Sequence, residues 1–186
     1  MREIIIDIET NMGASHIWCA VTKDLSTQEV KVWTEAEKLQ GFLAKESTII
    51  GHNVIGFDAP VLKKHWNIQL DNHQIKDTLV MSRLLKPTIE NGHSLRAWGQ
   101  RLGKNKDDFK DFDGGLTSEM VRYCKQDVEV TATLYKRLTN DLLDWGKSVD
   151  LEHRVALIVK QQEDTGFKLN VRQAMSLLVG WKNRIN

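Results

Sequence analysis

The stretch Ile4-Ile5-Ile6-Asp7-Ile8-Glu9-Thr10 constrains this chain more than any other. β-branched apolar residues at this density define a buried strand. Side chains at i and i+2 of a strand share a face, so Asp7 and Glu9 project side by side from an otherwise apolar element. Two carboxylates held that close resist ionising together unless a cation lies between them. A divalent metal is the usual compensation. The plainer alternative is a strand that leaves the core and exposes a polar end.

The 186 residues are enough for one domain with a sizeable core. With 41% apolar and 27% charged residues the composition is that of a globular chain. Cys19 and Cys124 form neither a disulfide framework nor a CxxC site, which fits a reducing cytoplasm. No signal peptide precedes the first strand, and no apolar run is long enough to span a membrane. The net charge is only +1, but it is unevenly spread. Lys76 to Lys106 carries seven Lys/Arg against Asp77 and Glu90, a segment able to hold phosphates or to form a solvated face. Asp107 to Glu119 has five acids against Lys110.

Strands are expected at residues 3–8, 16–23 and 29–33, forming an antiparallel meander. Thr34 and Glu37 have the spacing of a capping box for a helix ending near Lys45. Thr48-Ile49-Ile50-Gly51 reads as a fourth strand, parallel to the first after a helical crossover. A helix follows with Phe57, Val61, Leu62 and Trp66. Asp71 to Ile75 reads as a loop or short strand, Asp77 to Leu85 as a helix, and Ser94 caps another ending at Gly103. Lys104 to Gly115 reads as a polar loop. A long helix runs from Thr117 or Ser118 to about Leu142 with the stripe Met120, Cys124, Val128, Thr131, Tyr135, Leu138. Residues 145–148 are expected to break it before helices at 151–163 and 171–181. This order predicts an α/β fold: a mixed sheet, three antiparallel strands plus parallel ones, flanked by helices.

Two further acids lie at apolar/polar boundaries. Asp58 falls in the first turn of the helix after strand four, where the helix dipole alone would favour it. Asp127 borders the apolar stripe of the long helix, one turn after Tyr123, whose hydroxyl can sit beside it. Each acid alone has an ordinary structural reading. Asp7, Glu9, Asp58 and Asp127 together bring about four negative charges, which two divalent cations would balance. An all-oxygen donor set suits Mg²⁺ or Mn²⁺ better than zinc. The six histidines include no H-x-x-x-H pair, which argues against a zinc protease.

Asp7-Ile8-Glu9-Thr10, Asn53-x-x-x-Phe57-Asp58 and Tyr123-x-x-x-Asp127 resemble, in order, the three motifs of the DEDD 3′–5′ exonucleases, in their tyrosine subclass. The segments 77–84, 93–103, 107–110 and 151–167 resemble the proofreading exonuclease domain of podovirus-type phage family A DNA polymerases. The resemblance implies an RNase-H-like fold. It also implies an exonuclease domain over 1–146 and a helical extension over 147–186 similar to the start of a polymerase region. The chain stops at Asn186, so either a cut-out domain or a free-standing exonuclease in the cytoplasm, host cytoplasm if phage-encoded, is expected.

By that resemblance, Asp7 bridges two Mg²⁺ or Mn²⁺ ions, and Glu9 and Asp127 complete the site of the attacking water. Tyr123 orients the water, and Asp58 holds the metals directly or through water. Single-stranded or frayed DNA 3′ ends are the implied substrate, released as 5′-nucleoside monophosphates. Asn53 can reach a sugar or base. Phe57 is either a stacking group for a frayed end or a core aromatic. Thr10 and Met12 line the nucleotide pocket or simply form a turn. Arg83, Arg96, Arg101 and Lys104 are possible backbone contacts, while His52 and His93 read as structural. Two rivals stand beside this: an RNA exonuclease of the RNase D type, and a replication module that docks on a separate DNA polymerase subunit. The apolar face Val171, Ala174, Leu177, Leu178 and Trp181 would serve the second, or would pack on its own domain.

Overall fold

The computed structural model describes residues 2–44, 47–70, 75–104 and 108–185. Its centre is β1 (Arg2–Thr10), which pairs on both sides. On one side it runs antiparallel to β2 (Ile17–Asp24), with Ile5 opposite Lys23, Asp7 opposite Val21 and Glu9 opposite Cys19. On the other it runs parallel to β4 (Ser47–Gly51), with Ile4 opposite Ile49 and Ile5 opposite Ile50. β3 (Val30–Trp33) and β5 (Ile75–Asp77) complete a five-stranded sheet of order β3-β2-β1-β4-β5. The expected meander and the expected parallel strand are both present.

The alternation of β1 divides its residues between two cores. Ile4, Ile6 and Ile8 face α1 (Ala36–Leu43) and α2 (Asp58–Trp66), packing with Leu39, Val54 and Leu62. Ile5 faces the opposite way with Cys19, Val21 and Ile50, against Cys124 and Val128 of the long helix α5 (Ser118–Asp141). Each fully buried isoleucine contributes about 1.5–3 kcal/mol, so this strand fixes its own register. Asp7 and Glu9, in phase with Ile5, therefore fall on the α5 side. A third core joins α3 (Thr78–Leu85), α4 (Leu95–Arg101) and α5 through Met81, Trp98, Leu134 and Leu138.

Polar contacts close the connections. Asp24 accepts from Arg2 Nε at 2.7 Å, from the Ser26 hydroxyl at 2.6 Å and from the Ser26 N–H at 2.9 Å, holding the β2–β3 turn. Burial pushes the Asp24 carboxyl up, but Arg2, Ser26 and the Thr27 N–H together hold it well below the usual carboxylate range. His52 Nδ1 lies 2.9 Å from Thr78 Oγ1 and His93 Nδ1 2.7 Å from Ser82 Oγ, consistent with structural roles for both.

Several expected local features differ. Thr34 does not cap α1: Glu35 is the N-cap residue and no side-chain cap bond forms, because the helix begins one residue later than a capping box from Thr34 requires. The expected end of that helix at Lys45 and the connection at 71–74 lie outside the described residues. The break at 145–148 is shorter than expected. A single 3₁₀ turn at Leu143–Trp145 leads straight into α6 (Gly146–Thr165), five residues ahead of Leu151. Val149 reaches the third core, and Ala156 and Leu157 pack on the first, so burial carries the helix through Gly146. The final helix, α7 (Val171–Ile185), runs to the end of the described chain. No helix among the described residues is long and apolar enough to cross a membrane.

The caps are separable by mutation. Thr117 Oγ1 accepts from the Met120 N–H at 3.1 Å and starts α5. Thr117→Ala is expected to cost about 1 kcal/mol. Thr34→Ala, at an exposed residue without a capping bond, should stay within about 0.5 kcal/mol. Urea unfolding midpoints of the two variants check this.

Candidate active site

The site forms where β1 outruns its parallel neighbour. β4 pairs with β1 only as far as Ile5–Ile50, so the N–H of Ile8 has no strand partner on that edge. The carboxylate of Asp58, first residue of α2, supplies one, with Oδ1 accepting from Ile8 N at 3.2 Å. A helix terminus thus delivers Asp58 to the segment bearing Asp7 and Glu9. Asp58 is only 3% exposed. Its acidity is weakened first by burial and then by the negative charge of Asp7, which together hold the carboxyl well above the usual carboxylate range.

Asp7, Glu9 and Cys124 each present one ligand-type atom, all within 4.8 Å of one another. Two ionised carboxylates at that separation repel by about 3–4 kcal/mol at an effective dielectric of 20. That exceeds the roughly 1 kcal/mol net worth of an ordinary hydrogen bond. Cys124 Sγ lies 3.3 Å from Asp7 Oδ2. Burial, the neighbouring Cys19 and the charges of Asp7 and Glu9 push the Cys124 thiol well up, so it stays protonated and donates to Asp7. The donor set fits a hard divalent cation: two carboxylates on one strand face, with the buried, charge-crowded Asp58 at the same strand.

Helix α5 runs antiparallel to β1, since Cys124 meets Asp7 while Tyr135 Oη donates to Glu3 Oε1 at 2.8 Å. Its N-terminal turns therefore lie toward the Glu9 end of the strand. Asp127, 4% exposed, follows Cys124 by one turn on the same buried side. Tyr123 is half-buried, with its ring 5.8 Å from Phe109 and 6.2 Å from Phe112. Those aromatics come from a segment read as a polar loop, of which 107–110 also carried part of the family resemblance. It is held down by Trp18 Nε1 donating to Phe112 O at 2.8 Å and by the Met12 N–H donating to Asp113 Oδ1 at 3.0 Å. Two phenylalanines in an otherwise acidic stretch are the signal sequence reading could have used.

The expected substrate-contacting residues separate into two groups. Phe57 is 38% exposed, so it is not a core aromatic, and Asn53 is exposed in a left-handed backbone conformation with φ 63°. Met12 is 73% exposed, whereas Thr10 is buried within β1, beyond the expected strand end, and its hydroxyl donates to Asn11 O. Among the basic candidates, Arg96 pairs with Asp108. Arg101 bonds to the Glu90 and Gly92 carbonyls and stacks over Trp98, so it braces its own loop. Arg83 and Lys104 remain exposed. Asp77, read from the sequence as the start of a helix and of the family-like segment 77–84, is buried beneath the 53–57 turn and bonds to it.

A mixed sheet of this order with helices on both faces defines an RNase-H-like fold. Within it, the chain belongs to the DNA polymerase A 3′–5′ exonuclease family, whose model matches residues 1–143. It is 28% identical to the DNA-directed DNA polymerases of Escherichia phage T7 and Enterobacteria phage T3, in a gapped alignment covering 95% of this chain and 34% of each relative. The chain thus spans about a third of the length of these curated relatives. Among solved structures it is similar to Brucella melitensis NrnC with bound Mg²⁺, at TM-score 0.68 and 19% identity over 88% of this chain and 86% of that one. It is also similar to Escherichia coli RNase D, an exoribonuclease, at TM-score 0.60 and 15% identity over 86% and 45%. At these identities the structural likeness concerns the fold.

The Asp58 carboxylate offers a test of the crowded charge. Asp58→Asn keeps an oxygen acceptor for the Ile8 N–H, whereas Asp58→Ala leaves that buried N–H unpaired at a cost of about 1–3 kcal/mol. Because folding raises the pKa of Asp58, the protonated group stabilises the metal-free fold at low pH. That contribution is lost as pH rises from about 4 through the folded value. Denaturant midpoints in a chelator should fall over that range for the wild type and fall less for Asp58→Asn.

Proposed function

We propose that this chain is a 3′–5′ DNA exonuclease of the DEDD type, tyrosine subclass, acting on single-stranded or frayed 3′ ends in a proofreading role. The observation that carries the reading is the convergence of Asp7 and Glu9 on β1 with Asp58 at its unpaired edge, faced by a helix bearing Tyr123 and Asp127. Asp7, Glu9, Asp58 and Asp127 would hold two Mg²⁺ or Mn²⁺ ions. Bound there, such ions supply Lewis-acid activation of water and charge stabilisation at the scissile phosphate. Tyr123, steadied by Phe109 and Phe112, would orient the attacking water through its hydroxyl. Phe57 offers an exposed ring on which a terminal base can stack. Asn53 would contact the sugar or base, and Thr10 and the exposed Met12 would line the nucleotide pocket. A frayed end enters at least cost because its terminal base is already unstacked.

The reading is tested by nucleotide release from a 3′-labelled single-stranded oligonucleotide with Mg²⁺ or Mn²⁺. Stepwise shortening is expected, falling by at least about 100-fold in Asp7→Ala and by about tenfold or more in Tyr123→Phe. No shortening of DNA or RNA by folded protein with either metal would overturn it. The likeness of fold to RNase D supports a second reading, RNA as substrate. Matched DNA and RNA 3′ ends compared in the same assay separate the two, and faster RNA shortening would favour the alternative.

The relatives are polymerases, which supports association with a polymerase module. α6, the connection after it and α7 expose Leu151, Ile158, Phe167, Leu177 and Trp181, apolar side chains suited to such a partner. A family A polymerase module supplied in trans should bind the full chain in sedimentation. It should bind at least about tenfold more weakly to a chain lacking residues 168–186.

A further inference from the structure

Helix α6 lies beyond the residues matched by the exonuclease family, yet one of its side chains is bonded to the frame of the site. His153 is buried. Its Nδ1 lies 2.7 Å from Val149 O, which can only accept, so Nδ1 carries the proton. Its Nε2 then accepts from the backbone N–H of Asp77, also at 2.7 Å. Burial, foremost, lowers the basicity of the ring and favours this neutral form. An ion pair between Lys76 and Asp150, at 2.7 Å, ties the same turn of α6 to β5.

Asp77 in turn gathers the turn that precedes α2. Its Oδ1 accepts from Asn53 N at 2.9 Å and its Oδ2 from Ile55 N at 3.0 Å, while Oδ1 also caps α3 through Leu79 N at 2.9 Å. Within the turn, the N–H groups of Gly56 and Phe57 both donate to Asn53 O. Asn53 is left-handed, a conformation that a non-glycine residue holds only when its surroundings fix it. The turn ends at Phe57 and Asp58, so its position sets both the exposed ring and the carboxylate on Ile8.

We propose that His153 is a positioning residue of the exonuclease site, holding Asp77 and through it the 53–57 turn that aims Asn53, Phe57 and Asp58. The working unit of the enzyme then extends across the boundary expected at Gly146 and includes the first turns of α6. The proposal rests on the exonuclease reading for its consequence in turnover, but the hydrogen-bond relay itself is measurable without it.

The experiment uses the full chain with His153→Leu, which removes the acceptor, and His153→Gln, whose side-chain oxygen can accept the Asp77 N–H. Steady-state kinetics on a single-stranded DNA 3′ end are measured beside amide hydrogen exchange at Asn53, Ile55 and Asp77. For His153→Leu, KM is expected to rise about tenfold and exchange at those three amides to quicken by a similar factor, with exchange in β2 unchanged. His153→Gln should restore both to within about threefold of wild type. Wild-type kinetics and exchange in a folded His153→Leu would overturn the proposal. So would a His153→Gln no better than the leucine variant, because His153 would then act only by filling space. If His153→Leu does not fold, the glutamine variant decides alone: native exchange supports the relay and unfolding overturns it. A wild type with no nuclease activity would defeat the exonuclease reading, while exchange at the three amides would still decide the relay.

Discussion

Everything in the site depends on holding like charges at the end of a strand that cannot move. β1 is paired on both edges and buried on both faces, its isoleucines divided between the α1/α2 core and the α5 core. A one-residue slip would carry Asp7 and Glu9 to the opposite face and drive isoleucines out of both cores. Hydrophobic burial, a non-directional force, is thereby converted into exact placement of two carboxylates. Their mutual repulsion of a few kcal/mol is carried by the surrounding core. It creates an electrostatic demand that a divalent cation would answer.

Three buried aspartates show how the same side chain is put to different uses by its neighbours. Asp24 closes a hairpin with Arg2 beside it and is held strongly ionised. Asp77 takes up three backbone N–H groups, yet burial still leaves its carboxyl raised above the usual range. Asp58 is raised further by the nearby charge of Asp7. A guanidinium at contact distance makes Asp24 a fastening. Burial and a neighbouring carboxylate make Asp58 a reluctant anion. Asp77 stands between them: backbone dipoles suffice to make it a hub for the turn that leads into α2.

The fold was largely legible, for identifiable reasons. The isoleucine run marked β1, the helical stripe from Met120 to Leu138 marked α5, and strong apolar periodicity tolerates errors of a residue or two at the ends. Local signals failed where tertiary packing outweighed them. Thr34 and Glu37 have capping-box spacing, but the helix starts after Glu35. Trp145-Gly146 looks like a break, but Val149, Ala156 and Leu157 bury against two cores and carry the helix through the glycine. Phe57 could not be assigned to core or surface from its neighbours, because that depends on the turn held by Asp77.

By itself, the sequence determined the strand with paired acids, the order of elements, and the motif spacing of Asn53, Asp58, Tyr123 and Asp127, since each depends only on local periodicity and residue type. Only the tertiary structure decided which groups meet. It brought Cys124 against Asp7, gave the Ile8 N–H to Asp58, stacked Phe109 and Phe112 around Tyr123, and set His153 under Asp77. These contacts join residues up to 117 positions apart. No pattern along the chain encodes them, because they follow from how apolar faces pack and where that packing leaves polar groups in need of partners.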